Sequence, residues 1–242
     1  MLLVTGCEGM ALHDAELVDS PEAYEAFLAE YPSSANAPDL RVRIDRLRFL
    51  RAKAAKSSAA MREYTTLHPD GAHVDEARRL EDELSFNEAA AAHTAEAYQA
   101  YTDSHPDGAR VEEARFAGGQ LTYIPYIKIG AIEVEPVNMA NDPKGPLNGY
   151  GVKAELLNDG DQTLRVVEMA VDYLSASGRT VKSDKWWAVA PDLGGFPTPP
   201  AMKPALEPRG TRVFAWSTAE KPEGYADGSF GLRVTKIEFL KD

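Results

Sequence analysis

His68-Pro69-Asp70-Gly71-Ala72 recurs 37 residues later as His105-Pro106-Asp107-Gly108-Ala109, and Tyr31-Pro32-Ser33-Ser34-Ala35 stands 37 residues earlier. A fixed period of roughly 20–50 residues marks stacked supersecondary units rather than one continuous globule. Sliding the sequence along itself by this step superposes Ala23/Ala60/Ala97, Pro32/Pro69/Pro106, Ala35/Ala72/Ala109, Arg41/Arg78/Arg115 and Leu47/Leu84/Leu121. Aromatic residues track as well, at Phe27/Tyr64/Tyr101 and Phe49/Phe86/Tyr123. Three copies therefore fill residues 20–121.

Before each Pro the apolar residues fall at helical spacing, as in Tyr24, Phe27, Leu28 and Tyr31, which places them on one face of an amphipathic helix. Ser20 suits the N-cap, Pro21 the first helical position and Glu22 the positive helix end. Thr94 followed by Glu96 opens the third copy in the same way. In His-Pro-Asp-Gly, Pro second and Gly fourth signal a type I turn. The chain then reverses into second helices near 36–55, 73–86 and 110–121. Small Ala positions let helices approach and the aromatics fill the space between layers, so the stripes read as core and call for no cofactor.

These residues resemble tetratricopeptide-like repeats, especially the variant found in envelope lipoproteins of the outer-membrane-assembly type. There an aromatic pair precedes a Tyr-Pro turn and an Ala-rich second helix. The resemblance covers residues 20–121 and implies helical hairpins that bind other proteins along a concave surface.

From Tyr126 the texture changes to β-branched alternation broken by Pro, Gly, Asn and Asp, after Gly118-Gly119 has weakened the last helix. Candidate strands are Lys128–Glu135, Gly151–Leu157, Leu164–Leu174, Thr180–Val189, Thr211–Ser217 and Gly231–Phe239, with turns such as Asn158-Asp159-Gly160 and Ser177-Gly178. In the third of these, Val167, Met169, Val171 and Tyr173 share a face, which predicts a half-buried strand. The stretch from Ala154 through Asp159-Gly160-Asp161-Gln162-Thr163-Leu164, then Val171-Asp172-Tyr173-Leu174 and Leu206-Glu207-Pro208-Arg209-Gly210, resembles an immunoglobulin-like family of bacterial surface proteins called FxLYD-like. That resemblance implies a β-sandwich over residues 126–242, and a fold more than a function.

A Pro-rich insert between Asp184 and Pro208 carries Trp186-Trp187 and Phe196-Pro197-Thr198-Pro199-Pro200. Neighbouring side chains on a strand point to opposite faces, so one Trp is expected in the core and the other in solvent, where it could meet a sugar ring or a partner protein. The plainer alternative is a loop folded over a sheet edge with the ring covering it.

The formal charge of −12, from 26 basic and 38 acidic residues, argues against duplex nucleic acid, whose phosphates need a basic footprint. Residues 1–120 carry 12 basic against 22 acidic residues, a net of −10, and residues 121–242 carry 14 against 16, a net of −2. Seven of those first twelve, Arg41, Arg43, Arg46, Arg48, Arg51, Lys53 and Lys56, gather on one helix. They would make a face for an acidic partner segment or anionic headgroups, or else a solvated surface. Arg78 and Arg115 follow acids by three residues (Asp75, Glu112), within reach of a surface ion pair.

The single cysteine, Cys7, excludes an intrachain disulfide and a multi-thiolate metal site. Leu3-Val4-Thr5-Gly6-Cys7 resembles a bacterial lipobox, which implies lipid attachment at Cys7 and a cell-envelope location. The six residues before it hold no Lys or Arg and no room for an export signal, so this reading requires a start upstream of Met1. The alternative is a chance match on the frayed terminus of a cytoplasmic protein.

No Gly-rich phosphate loop, nucleophile elbow, zinc-ligand pair or calcium loop appears. A metal site would need His73 or Asp70 to converge with His68 and His105 across the stack. The sequence therefore predicts no enzyme, cofactor, metal or nucleic-acid partner, and membrane association only through the anchor. It predicts a lipid-anchored scaffold of helical repeats (residues 1–19 the N-terminal segment, 20–121 the repeats) followed by the sandwich. Candidate partner-binding residues are Arg41, Arg48, Arg78, Arg115, Trp186 and Trp187. The alternative function is glycan or small-ligand binding at the Trp-bearing sandwich.

Overall fold

The computed structural model describes residues 4–140, 145–192, 195 and 197–240. It divides into two compact units, Met1–Arg115 and Phe116–Asp242. Helices come first and two antiparallel sheets follow. Leu3 of the lipobox-like run and Phe196 of the Pro-rich insert lie outside the described residues.

The helices are α1 (Val4–Val18), α2 (Pro21–Glu30), α3 (Ala37–Ala55), α4 (Ser58–Leu67), α5 (Val74–Ala92), α6 (Ala95–Ser104) and α7 (Val111–Tyr123). First helices start at residues 21, 58 and 95 and second helices at 37, 74 and 111, each step being 37. The three first helices share one start: Ser20, Ser57 and Thr94 accept the backbone N–H of Ala23, Ala60 and Ala97, each at 3.2 Å. Each cap satisfies one amide that the helix leaves open. Helix α1, outside the three copies read from the sequence, keeps the same phase. It ends at Val18 as α3 ends at Ala55 and α5 at Ala92, and Asp19, Lys56 and His93 follow in the left-handed region (φ 46°, 50° and 49°). Gly118-Gly119 do not stop α7, which runs through them to Tyr123.

Each second helix in the interior of this unit has two apolar faces. On α3, Leu40, Ile44 and Leu47 cluster with Tyr24 and Phe27 of α2, while Phe49 and Ala52 cluster with Met61 and Tyr64 of α4. On α5, Ala77, Leu80 and Leu84 join the cluster of α4, and Phe86 meets the rings of Tyr98 and Tyr101 of α6. On α1 the second of these faces, Ala11, Leu12 and Ala15, packs with Tyr24 and Phe27.

A polar clasp joins consecutive copies. Tyr64 donates its hydroxyl to Asp45 Oδ1 at 2.7 Å, and the Ala72 N–H donates to Oδ2 at 3.0 Å. One step on, Tyr101 donates to Asp82 Oδ1 at 2.6 Å and the Ala109 N–H to Oδ2 at 2.9 Å. The turns close as type I reversals, with Gly71 and Gly108 N–H bonded to the His68 and His105 carbonyls at 3.0 Å. Gly is needed in these turns for room: a Cβ at Gly71 would stand 2.4 Å from Asp45 Oδ1 and 2.7 Å from the Tyr64 hydroxyl, and one at Gly108 would stand 2.6 Å from both equivalents. In the first copy the tyrosine is replaced by Phe27, which has no hydroxyl to donate, and Ser34 occupies the glycine position.

In the second unit, β3 (Gly149–Asn158) pairs along one edge with β1 (Ile127–Ile129) and β2 (Glu133–Val137), and along the other with β6 (Thr211–Thr218). The second sheet runs β5 (Thr180–Val189), β4 (Leu164–Leu174), β7 (Phe230–Phe239). The expected strand Lys128–Glu135 is broken between β1 and β2, where Gly130 N–H still reaches the Glu155 carbonyl at 2.8 Å. Glu133, Glu135 and Pro136 make β2 a guarded edge. Strand β4 differs from its half-buried expectation. Val167, Met169, Val171 and Tyr173 are buried, but so are Ala170 and Asp172 on the other face. The cause is its central place: Lys185 and Arg233 pair across from Ala170, and Arg233 and Ser183 bind Asp172.

Asn158, fully buried, organises one end of this core. Its Oδ1 accepts from the Tyr123 hydroxyl (2.9 Å) and its Nδ2 donates to the carbonyls of Gln162 (2.8 Å), Leu206 and Glu207 (both 3.2 Å). Tyr123, at the end of α7, clusters with Ile127, Leu164 and Ile237. A Cβ at Gly160 would stand 2.2 Å from its hydroxyl.

Candidate functional site

Helix α3 and helix α4 leave a cleft of about 270 Å³ between them, lined by Arg48, Arg51, Ala52, Ala55, Ala60, Glu63, Tyr64, Leu67 and His68. Short alanines at facing positions open this space, and longer side chains wall it. Adding 37 to seven of these residues gives Ser85, Glu88, Ala89, Ala97, Ala100, Tyr101 and Ser104. Those seven, with Ser58 and Arg62, line a second cleft of about 410 Å³ against α5 and α6. The cleft is therefore a property of the repeat, and its chemistry changes between copies.

The first cleft is bordered by cations. Arg48 Nη2 donates to both carboxylate oxygens of Glu25 (2.7 and 2.8 Å), and Arg51 donates to Glu22 (2.6 and 3.1 Å). The Arg51 guanidinium holds the Glu22 carboxyl down to about 2. Both partners of that pair are more than half exposed, so it is readily exchanged for another anion. Leu67 adds an apolar rim, 56% exposed. Burial, and after it the Asp45 hydrogen bond, pushes the Tyr64 phenol well above its ordinary range. Among the described residues, Arg48 Nε and His68 Nε2 are buried without a hydrogen-bond partner, a deficit of about 1–3 kcal/mol for each such atom. In the second cleft Glu88 takes the place of Arg51, and it accepts the N–H (2.9 Å) and hydroxyl (2.6 Å) of Ser58 at the start of α4, where the helix end favours a negative group.

Among the six candidate partner-binding residues, only Arg48 lines one of these two clefts. Arg41 is exposed on α3 beside the turn His68–Ala72, Arg78 is exposed on α5, and Arg115 is exposed and paired with Glu112 at 2.6 Å. The corresponding Arg78–Asp75 pair does not form among the described residues. The basic helix is no free cationic strip: Arg43, Arg48, Arg51 and Lys53 bind Asp19, Glu25, Glu22 and Glu76 of neighbouring segments. Trp186 packs against the sandwich core, and the Trp187 ring rests on it at 5.5 Å, so both are half-buried. The face alternation holds, since they pair across from Met169 and Glu168, but neither ring is fully in solvent. Cys7 is exposed on α1. No helix of the described residues is long and apolar enough to cross a membrane. The cleft residues Ala55, Leu67, Glu88 and Ser104 escaped the sequence reading. The signal available for them was the pairing of small residues at 52/89 and 60/97.

No protein-family model matches the chain, and no curated protein matches it. Among solved structures, the structural-genomics target SoR45 is similar at a TM-score of 0.24 and 14% identity, over 49% of this chain and 89% of that one. The Pseudomonas fluorescens alkylpurine DNA glycosylase AlkC, bound to DNA containing an abasic-site analog, is similar at a TM-score of 0.29 and 14% identity, over 93% of this chain and 77% of that one. That neighbour corrects two expectations drawn from the sequence, that the chain is no enzyme and has no nucleic-acid partner: neither exclusion stands. Both rested on a whole-chain charge sum and on missing short motifs, and neither quantity constrains a local surface. At these scores the likeness carries no argument about what this chain binds or does.

Proposed function

We propose that the chain is a bacterial cell-envelope lipoprotein whose tetratricopeptide-like hairpins hold a segment of another protein, with an immunoglobulin-like sandwich as spacer or second docking module. The observation that carries this reading is the cleft repeated at the step of the helices, with one chemistry in the first copy and another in the next. Sites repeated along a stack suit an extended partner, which meets them in turn. The Arg-bordered first cleft favours an acidic or carbonyl-rich portion of that partner, and the Ser85, Glu88 and Ser104 side chains favour hydrogen-bond donors in the portion that follows. The exposed Cys7 thiol supports lipid attachment.

The binding half is tested by placing a photo-crosslinking residue at Ala55 in the full chain produced in bacteria. One discrete protein adduct is expected, and it should weaken with Arg51→Glu or Leu67→Glu. An adduct pattern indifferent to both substitutions refutes the cleft. The anchor is tested separately by fractionating cells that express the complete reading frame. Cys7→Ala should move the protein from the membrane pellet to the soluble fraction, and an unchanged distribution refutes lipid attachment.

A further inference from the structure

The outward face of the sheet β5–β4–β7 carries its charges in two layers. The register sets Trp187, Glu168 and Lys236 in one row and Lys185, Ala170 and Arg233 in the next, with Ser183 and Asp172 beyond them. Arg165, near the start of β4, and Glu238 of β7 close the other end. Glu168 accepts from Lys185 (3.0 Å) and Thr235 (2.7 Å), Asp172 from Arg233 (2.9 Å) and Ser183, and Glu238 from Lys236 (2.7 Å) and Arg165. The side chains of the four cations are 49–62% exposed, whereas those of the three carboxylates are only 10–23% exposed. Solvent therefore meets ammonium and guanidinium groups, and the carboxylates hold them from beneath. Helix α3 differs: the carboxylates that pair with its cations are 42–58% exposed, and its surface is mixed. Ala170, on the central strand, is fully buried; the stems of Lys185 and Arg233 on either side cover it and leave their heads in water. The face is thus a shallow trough along β4, walled by Trp187 and Lys185 on β5 and by Arg233 and Lys236 on β7. Four cations against three carboxylates leave it positive on a chain whose formal charge is −12.

We propose that this face binds a uronic-acid polysaccharide, with its carboxylates on Lys185, Arg233 and Lys236 and a sugar ring against Trp187. Arginine offers a planar fork that matches a carboxylate, and lysine a compact charge that accepts one from several directions. The Trp187 indole is half-buried and rests on Trp186 at 5.5 Å, so it is already ordered when a sugar arrives. Other polyanions fit less well. The bases of single-stranded nucleic acid stack in succession on several aromatics, but the other aromatics of these strands, Tyr173, Trp186, Phe230 and Phe239, pack in the core. A bilayer surface is entered by exposed apolar side chains, and no large apolar residue of these three strands is exposed. An acidic peptide must order flexible side chains to reach cations that are fixed from below, whereas the carboxylates of a pyranose chain are already held on rings. The site lies in the second unit, and the proposal stands or falls independently of the two clefts.

The full chain is titrated at low salt with polygalacturonate oligomers, and with the same oligomers fully methyl-esterified, by calorimetry and tryptophan fluorescence. The acid form should bind at least about tenfold more tightly than the ester, and its binding should weaken as salt rises, because exposed charges are screened. Lys185→Gln/Lys236→Gln should lower the affinity about tenfold, and Trp187→Leu should remove most of the fluorescence change. Lys153→Gln, on the other sheet and equally accessible, should leave binding unchanged. A urea midpoint near that of the wild type shows that the double variant is folded. Lys236→Gln alone keeps Arg165 on Glu238 and should still cost about threefold. Equal binding of acid and ester overturns the proposal, as does an affinity indifferent to the lysine substitutions. Tighter binding of oligothymidylate, or of phosphatidylglycerol vesicles, through the same lysines also overturns it, by assigning the face to a different polyanion.

Discussion

Replacing Gly71 with Ala should cost stability only while Asp45 and Tyr64 are both present. The new Cβ would stand 2.4 Å from Asp45 Oδ1 and 2.7 Å from the Tyr64 hydroxyl, so it pushes apart a hydrogen bond of 2.7 Å that is buried. A bond to a charged acceptor contributes about 1.5–3 kcal/mol, and overpacking of this kind costs about 1–3 kcal/mol. Gly71→Ala should therefore destabilise the helical unit by about 2–3 kcal/mol. In an Asp45→Ala/Tyr64→Phe background both obstructing side-chain oxygens are gone, and the nearest atom left is the His68 carbonyl oxygen at 3.1 Å, which must give by a few tenths of an ångström. Gly71 is not in the left-handed region, so alanine fits its backbone and also restricts the unfolded chain, which gains about 0.4–1 kcal/mol. The same substitution should there be close to neutral. Urea denaturation followed by circular dichroism at 222 nm reports the helices. All three tryptophans, Trp186, Trp187 and Trp216, lie in the second unit, so their fluorescence follows the sandwich separately. An equal loss in both backgrounds would show that the glycine serves the turn and not the clasp, and would refute the reasoning.

The Tyr101 phenol, raised by burial and then by its bond to Asp82, titrates in the folded protein near about 12 and unfolded near about 10. Its stabilisation is fully present below pH ~10 and is lost as pH rises through about 12, so thermal midpoints followed by circular dichroism should fall across that window and fall less in Tyr101→Phe. Asn158→Asp would turn a carboxylate toward the three carbonyls now facing Nδ2, a loss of about 3 kcal/mol or more; a tryptophan-fluorescence melt within a few degrees of wild type would contradict the role given to Asn158. The Arg110 guanidinium lies 3.7 Å from the Phe86 ring centre, so Arg110→Ala should cost about 0.5–2 kcal/mol in urea denaturation, and Arg110→Lys should cost less.

The helices were legible because their signals are local. Ser20, Thr94 and the His-Pro-Asp-Gly turns act within four residues, and the bonds they imply are present. Strands β4 and β5 match their expected bounds for a related reason, since alternation and turn residues bracket them. What the sequence hid depends on which residues meet across copies. Asp45 looked like one more acid on a charged helix, and only the fold brings it to Tyr64 and Ala72, which lie 19 and 27 residues away. The basic residues of α3 looked available for a partner until Asp19, Glu22 and Glu25 were seen beside them. Asn158 looked like a turn residue, and its burial follows from Tyr123, 35 residues earlier. Helix α1 went unseen because its Leu12 and Met10 replace the aromatic and leucine that mark the other copies.

The aspartate clasp gives the stack a direction. Asp45 takes both hydrogen-bond donors from the copy that follows it, and Asp82 does the same. One step further along, the position is Gly119, and one step before the series begins it is Glu8, opposite Phe27, which has no hydroxyl. The grammar of the clasp is thus open in the middle and closed at both ends. A duplicated 37-residue block inserted after Lys56 would find an acceptor behind it and supply one ahead, whereas the same block attached after Gly119 would meet no carboxylate. Growth of such an array by internal duplication, and not by addition at its tips, is what this arrangement of donors and acceptors permits.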